Sequence, residues 1–236
     1  MFKLKNCLEN HKITERQRNK MVDWIIEVLD IFNQSDQTVF RALILLDMFL
    51  KKTSKVMDIR DLHLMGVVAI FLASKFEEIK VIKFKSILAD ICKYKFSKTE
   101  IMNAEKSMCF ELGFVLNPVT VWEYTASILA LVKVPSPFLR PIQKYSILLQ
   151  KMFMYCYDIH NVYSIEELAV YSLLISMKLF ERSNSKFSFA KYFKRILYFS
   201  KIDENQILDN LNFLREFACN FHRKFPENNL QINSTS

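Results

Sequence analysis

The chain has 236 residues, 51% of them hydrophobic, with 33 basic and 25 acidic side chains for a formal net charge of +8. That length suits one large domain or two small ones, and so much apolar material excludes global disorder. Gly66 and Gly113 are the only glycines, which excludes the glycine-dependent turns of Rossmann units, phosphate loops and barrels and leaves an all-α fold as the expectation.

After a short N-terminal segment, 1–14, the first half predicts helices near 15–33, 37–52, 60–78, 84–93 and 98–113. The third is apolar nearly all round from Leu64 to Ala73, so it must be buried at the centre of its bundle. The fifth opens on a capping box, Ser97-Lys98-Thr99-Glu100, in which serine and glutamate satisfy each other's orphan amides. Asn117-Pro118 reads as the next helix start, with proline at a position whose missing N–H costs nothing. The second half predicts helices near 119–131, 138–158, 165–181, 188–198 and 204–223. Pro135, Pro137 and Pro141 punctuate the start of the second of these, and Ser164-Ile165-Glu166-Glu167 repeats the capping box. Leu168 to Met177 is a second helix apolar nearly all round, and its residues match those of the first at a spacing of 103, from Gly66 and Ala169 through to Lys75 and Lys178. A duplicated unit of ~100 residues is too long for a solenoid repeat. Two tandem five-helix domains are therefore expected, 15–116 and 117–224, with 225–236 as a flexible tail.

No catalytic constellation, metal site or cofactor loop is expected. Cys7, Cys92, Cys109, Cys156 and Cys219 are scattered and never paired as C-x-x-C, so they read as the reduced thiols of a cytosolic or nuclear protein. His11, His63, His160 and His222 show no metal-ligand or triad spacing. The adjacent glutamates Glu77/Glu78 and Glu166/Glu167 diverge by about 100° on a helix and do not converge on one substrate. Charges in the first residues argue against a secretory leader, and the longest apolar run is far short of the ~20 residues that span a bilayer. The lysines are dispersed, which fits a solvated basic surface better than a nucleic-acid patch. On these residues alone, Arg18 and Asp47 are an ordinary ion pair, Lys75 is a stem reaching for water, and the apolar residues around it are core.

Three stretches change that picture: Arg18 to Val28 with Val22-Asp23-Trp24, Leu43 to Leu50 with Asp47, and Phe71-Leu72-Ala73-Ser74-Lys75-Phe76-Glu77-Glu78-Ile79. Together they resemble the cyclin family, in a form close to A- and B-type cyclins with two cyclin-box repeats. The five dispersed residues of the family's first repeat have counterparts in Arg18, Asp47, Leu64, Lys75 and Glu105. The match is strong in the first repeat and weak in the second. The resemblance implies a regulatory subunit, not an enzyme, that binds and activates a cyclin-dependent protein kinase and controls cell-cycle progression in nucleus and cytoplasm. It implies an internal structural pair, Arg18 and Asp47. It also implies a kinase-binding set of Lys75 and Glu105 with an apolar pocket of Leu72, Phe76, Cys109, Phe114 and Leu116. The alternative within the fold is a cyclin-box protein of transcription, a transcriptional cyclin or a transcription-factor-B-like DNA-associated module. The absence of a cysteine/histidine ribbon before the repeats and the Lys75-to-Glu78 segment favour the kinase partner.

The sequence also departs from the family. The docking groove for kinase substrates or inhibitors on the first helix is matched at Met21, Trp24, Glu27 and Leu62. Gln17 and Lys20, however, stand at apolar positions and His63 at a polar one. The groove is thus either weakened or reads a different motif. Neither an R-x-x-L pattern nor a Lys-Glu-Asn triplet occurs, so proteolysis timed by those signals is not expected.

Overall fold

The structure, a computed structural model, describes residues 4–200, 202, 204–228 and 230. Among the described residues every regular element is helical. The chain forms two compact units that meet between Thr120 and Val121, four residues later than the expected join.

In the first unit, α1 (Glu15–Ile31) starts on a capping box, Thr14 with Gln17. Helix α2 (Asp36–Lys52) is capped by Ser35, and α3 (Ile59–Glu77) by Asp58, which Asp61 reciprocates. Each cap satisfies amides that a helix start leaves orphaned. Every residue of α3 from Met65 to Ser74 is buried, as its apolar surface requires. Helix α2 is enclosed just as completely, from Thr38 to Leu50. Arg41 and Asp47 interrupt its apolar pattern, yet both are buried.

The helix expected at 84–93 is shorter. Residues Phe84–Ser86 (α4) pass into a π turn, Ile87–Ile91, where the Cys92 N–H donates to the Ile87 carbonyl at 2.9 Å. Lys93 and Tyr94 then adopt φ of 48° and 57°, which ends the helix. Helix α5 (Lys98–Glu111) opens on the expected Ser97/Glu100 box. It stops at Gly113 and Phe114, both left-handed at φ 60° and 59°. The described part of the N-terminal segment, from Leu4, packs into this unit. Leu4, Cys7, Leu8 and Ile13 are buried, and His11 clips the α2–α3 connection. Its Nε2 lies 2.7 Å from the Leu50 carbonyl, and its Nδ1 accepts the Met57 N–H at 3.2 Å.

In the second unit, α6 (Val121–Val132) starts three residues after Pro118, so Asn117-Pro118 is not the helix start that it resembles. Helix α7 (Ser136–Tyr155) carries Pro137 in its first turn and Pro141 inside it. It ends where Cys156 turns extended, at φ −77° and ψ 112°, and α8 (Tyr157–Val162) follows. The single helix expected over 138–158 is therefore two. Helix α9 (Ile165–Ser183) is buried without interruption from Leu168 to Met177, with α6, α7, α10 (Phe189–Ser200) and α11 (Glu204–Cys219) packed against it. Gln150 is fully buried there, its Nε2 2.7 Å from Thr125 Oγ1, 3.0 Å from Ser146 Oγ and 3.1 Å from Ser172 Oγ. Asn220 separates α11 from the single turn α12 (Phe221–Lys224). The described residues of the tail expected from 225 are packed. Phe225 packs its ring on Tyr155 at 5.0 Å and on Phe221 at 5.2 Å, and Leu230 is buried. Residues 231–236 of that tail lie outside the described residues.

The central helices α3 and α9 both have 19 residues. Their caps, Asp58 and Ser164, stand three residues further apart than the 103-residue spacing of the sequence match. The duplication is one of architecture, with the register of side chains shifted by about one turn.

Candidate functional site

The last turn of α3 and the middle of α5 bring Lys75 and Glu105 together. Lys75 Nζ pairs with Glu105 Oε1 at the surface, with side chains 38% and 21% exposed. The ammonium also lies over the Phe71 ring, 4.1 Å from its centroid, so its stem rests on apolar surface while its head reaches solvent. Burial pushes the Cys109 thiol up from its ordinary value; Glu105 adds to that and Lys75 offsets part.

The rest of the segment that ends α3 is tied down. Glu77 Oε1 accepts from Arg41 Nε at 2.6 Å, and Arg41 Nη1 donates to the Pro118 carbonyl. The Arg41 guanidinium also faces the Phe76 ring at 5.3 Å. Glu78 Oε1 accepts from the Ser35 N–H at 2.6 Å and the Thr38 hydroxyl at 2.5 Å. Burial alone would raise the Glu78 carboxyl, but these hydrogen bonds outweigh it and lower its pKa. Arg41 and Glu78 thereby fix the end of α3 to the start of α2.

Beside the ion pair lies apolar surface that the first unit does not cover. Phe76 and Ile79 are exposed, and Phe110 and Phe114 are 70% and 63% exposed with their rings edge to face at 5.3 Å. Of the expected pocket, Phe76 and Phe114 are exposed and Cys109 and Leu116 half-buried, whereas Leu72 is buried and belongs to the core. Sequence reasoning missed Phe110, Ile79 and Arg41. The one-turn spacing of Phe110 and Phe114, at a helix end that holds a glycine, was the available signal.

Arg18 and Asp47 form a fork deep in the first unit. Arg18 Nη2 donates to Asp47 Oδ2 at 2.5 Å and Nε to Oδ1 at 3.2 Å, with side chains 0% and 1% exposed. A surface ion pair is thus ruled out in favour of an enclosed one joining α1 to α2.

On α1, Met21 and Trp24 are half-buried, Lys20 and Glu27 exposed, and Leu62 of α3 buried. Gly66 lets the helices meet closely, since a Cβ there would stand 2.5 Å from Met21 Sδ. Gln17 serves the backbone, because its Oε1 accepts the Thr14 N–H at 2.8 Å and closes the α1 capping box. Its polarity thus has a use in the cap, whatever its position does to the groove. The His63 ring lies edge-on to Trp24 at 5.0 Å and to Phe96 at 5.3 Å, and its Nδ1 is 3.1 Å from Lys95 Nζ. Burial and then the Lys95 charge lower its pKa. The Lys95 ammonium, which can only donate, thus places a cation beside the Trp24–His63 pair that the sequence did not announce.

Among the described residues no group of three or more His, Cys, Asp or Glu side chains is placed to hold a metal ion. Nor is any described helix long and apolar enough to cross a membrane.

Residues 1–117 match the family model described as "Cyclin, N-terminal domain". The chain is 36% identical over 112 residues to the G2/mitotic-specific cyclin-1 of Medicago sativa subsp. varia, a match covering 48% of this chain and 26% of that protein. It is 33% identical over 123 residues to the G2/mitotic-specific cyclin-B1 of Caenorhabditis elegans, covering 49% and 32% respectively. The matched stretch therefore spans about a quarter to a third of these relatives' length. Among solved structures, a viral cyclin from herpesvirus saimiri superposes with a TM-score of 0.74 at 15% identity, over 90% of this chain and 88% of that one. A chain of the Chaetomium thermophilum CAK complex bound to ATP-gamma-S does so with a TM-score of 0.58 at 14% identity, over 92% and 69%. The sequence match in the first half and the shared helical architecture across both repeats lead to one assignment: the chain belongs to the cyclin family.

Proposed function

We propose that this cyclin is a non-catalytic subunit that binds and activates a cyclin-dependent serine/threonine protein kinase in the cell-division cycle, in nucleus and cytoplasm. The observation that carries the proposal is the Lys75–Glu105 pair set beside exposed Phe76, Ile79, Phe110 and Phe114. Exposed aromatic side chains that pack on each other, as Phe110 and Phe114 do, mark interaction surfaces. An ammonium and a carboxylate at their edge supply the donors and acceptors that a partner's backbone needs.

The mechanism is positional. A protein kinase works only when its β3 lysine and αC glutamate pair. A subunit that binds the paired arrangement more tightly than the unpaired one shifts the population toward activity. Arg41, Glu77 and Glu78 hold the end of α3 rigid, so the surface is presented without an ordering cost on binding.

For substrates, the first-helix groove offers Trp24 and Met21, but with Lys20 exposed and Lys95 beside His63 it is a poor fit for a basic motif.

The test is to titrate the purified chain into a panel of purified cyclin-dependent kinases, measuring co-elution and phosphorylation of a generic substrate. The expected result is a heterodimer with at least one kinase and activation by orders of magnitude. Failure to bind any of them, or turnover of ATP by the chain alone, overturns the proposal.

A further inference from the structure

In the second unit, α9, α10 and α11 leave an open groove of about 320 Å³, at the lower end of the ~300–1,000 Å³ range of sites that enclose ligands. Its floor includes Leu174, which is buried, and its walls include Leu179, Phe193 and Leu208. Leu208 is 64% exposed and offers its side chain to whatever enters the groove. Lys178, Arg182 and Arg215 also line the groove, and among the described residues no Asp or Glu does. Glu181 stands next to it but is committed: its Oε2 accepts from Lys178 at 2.7 Å and its Oε1 from the Phe189 N–H at 2.8 Å.

We propose that this groove binds an amphipathic helical segment of a partner protein, with apolar anchors one turn apart and acidic residues beside them. The apolar trough takes the anchors in the helix-in-groove manner. Charge complementarity selects the flanks, because Arg182 and Arg215 attract carboxylates and repel a basic helix. Nothing in this inference depends on the kinase assignment, since the Lys75–Glu105 pair lies in the other unit.

The probe is a fluorescein-labelled synthetic helix with leucines at i, i+3, i+4 and i+7 and glutamates elsewhere, titrated with the full chain by fluorescence anisotropy. One control peptide replaces the glutamates with lysines, and another scrambles the leucines off one face. The acidic amphipathic peptide is expected to bind at least tenfold more tightly than either control, and more weakly as salt rises. The double variant Arg182→Glu/Arg215→Glu should lose at least tenfold for the acidic peptide and gain for the lysine peptide. Leu208→Asp should weaken both. All three positions are exposed, so helical circular dichroism and melting temperature should stay at parental values. A first-unit control, Lys20→Glu/Lys93→Glu, should leave binding within twofold, which separates the groove from general attraction to a basic protein. The inference is overturned if the acidic peptide fails to bind, if both charge forms bind alike, or if the first-unit control matches the groove variant. It is likewise overturned if sedimentation shows self-association that Leu208→Asp abolishes, because the occupant is then a second copy. Kinase activation by Arg182→Glu/Arg215→Glu and by Leu208→Asp should equal that of the parent, so the two failures read out separately.

Discussion

Replacing Asp47 with alanine should damage the fold more than any surface change. The carboxylate takes two hydrogen bonds from Arg18, at 2.5 Å and 3.2 Å, and the arginine side chain is 0% exposed. Without Asp47 the guanidinium stays enclosed but loses the carboxylate that accepts two of its N–H groups. Breaking a buried pair from one side costs about 3–5 kcal/mol. At roughly 2–4 °C per kcal/mol for a chain of this size, the melting temperature should fall by about 6–20 °C. Arg18→Ala removes the charge with its partner's donors and should fall in the same range. The double variant Arg18→Met/Asp47→Leu, which replaces the pair with apolar volume, should recover most of the loss, since such replacements are often neutral or stabilising. The assay is urea and thermal unfolding followed by far-ultraviolet circular dichroism. If Asp47→Ala unfolds within ~0.5 kcal/mol of the parent, the pair is not the enclosed joint described here.

Three further outcomes test local features. The Ser97 amide and the Arg60 side chain hold the Glu100 carboxyl at about 2, against an ordinary 4.5. Its contribution is present above pH ~4.5 and lost as pH falls toward 2, so Glu100→Gln should flatten part of the drop in urea midpoint between pH 5 and pH 3. A parental slope unchanged by the substitution refutes this. Gly113→Ala meets no neighbouring atom but must hold φ of +60°, so it should cost ~1–2 kcal/mol and Gly113→Asn less; equal stability of all three forms contradicts the backbone argument. Gln17→Met should lower stability by ~0.5–1 kcal/mol through the α1 cap, and a Thr14→Ala/Gln17→Met double variant should show non-additivity. Fully additive losses mean that the two residues do not act as one box.

The parts of the fold legible in the sequence are those set by local chemistry. Ser97 and Ser164 announce their helices because a serine followed by glutamate at the third position satisfies two amides at once. Helices α3 and α9 announce their burial because no polar face is available to water. The same capping signal stands at Thr14 and Gln17, but there the groove pattern on α1 offers a competing reason for a polar residue. Helix α2 is not legible as a core helix, because Arg41 and Asp47 look solvent-facing until their partners, 36 and 29 positions away, are in place. The breaks at Cys156 and Asn220 have no proline or glycine to mark them; they follow from packing, as in the Tyr155, Phe217, Phe221 and Phe225 ring cluster. Within the candidate site, Lys75 and Glu105 are legible only through resemblance. Their junction depends on α3 and α5 lying side by side, which no spacing of 30 residues reveals.

The measurement that bears most directly on the central claim is a paired one on Lys75→Ala and Glu105→Ala: affinity for the activating kinase, and thermal melting of the free chain. Both side chains are partly solvated in the free protein, where an ion pair contributes under ~1 kcal/mol, so melting should shift by only a few degrees. Covered by a kinase, the loss of one partner leaves the other charge and backbone groups unpaired, at a cost of ~2–5 kcal/mol. The expected result is roughly 30- to 5,000-fold weaker binding by each variant with a near-parental melt. Variants that bind as tightly as the parent, or that unfold, contradict the claim that this pair faces a kinase.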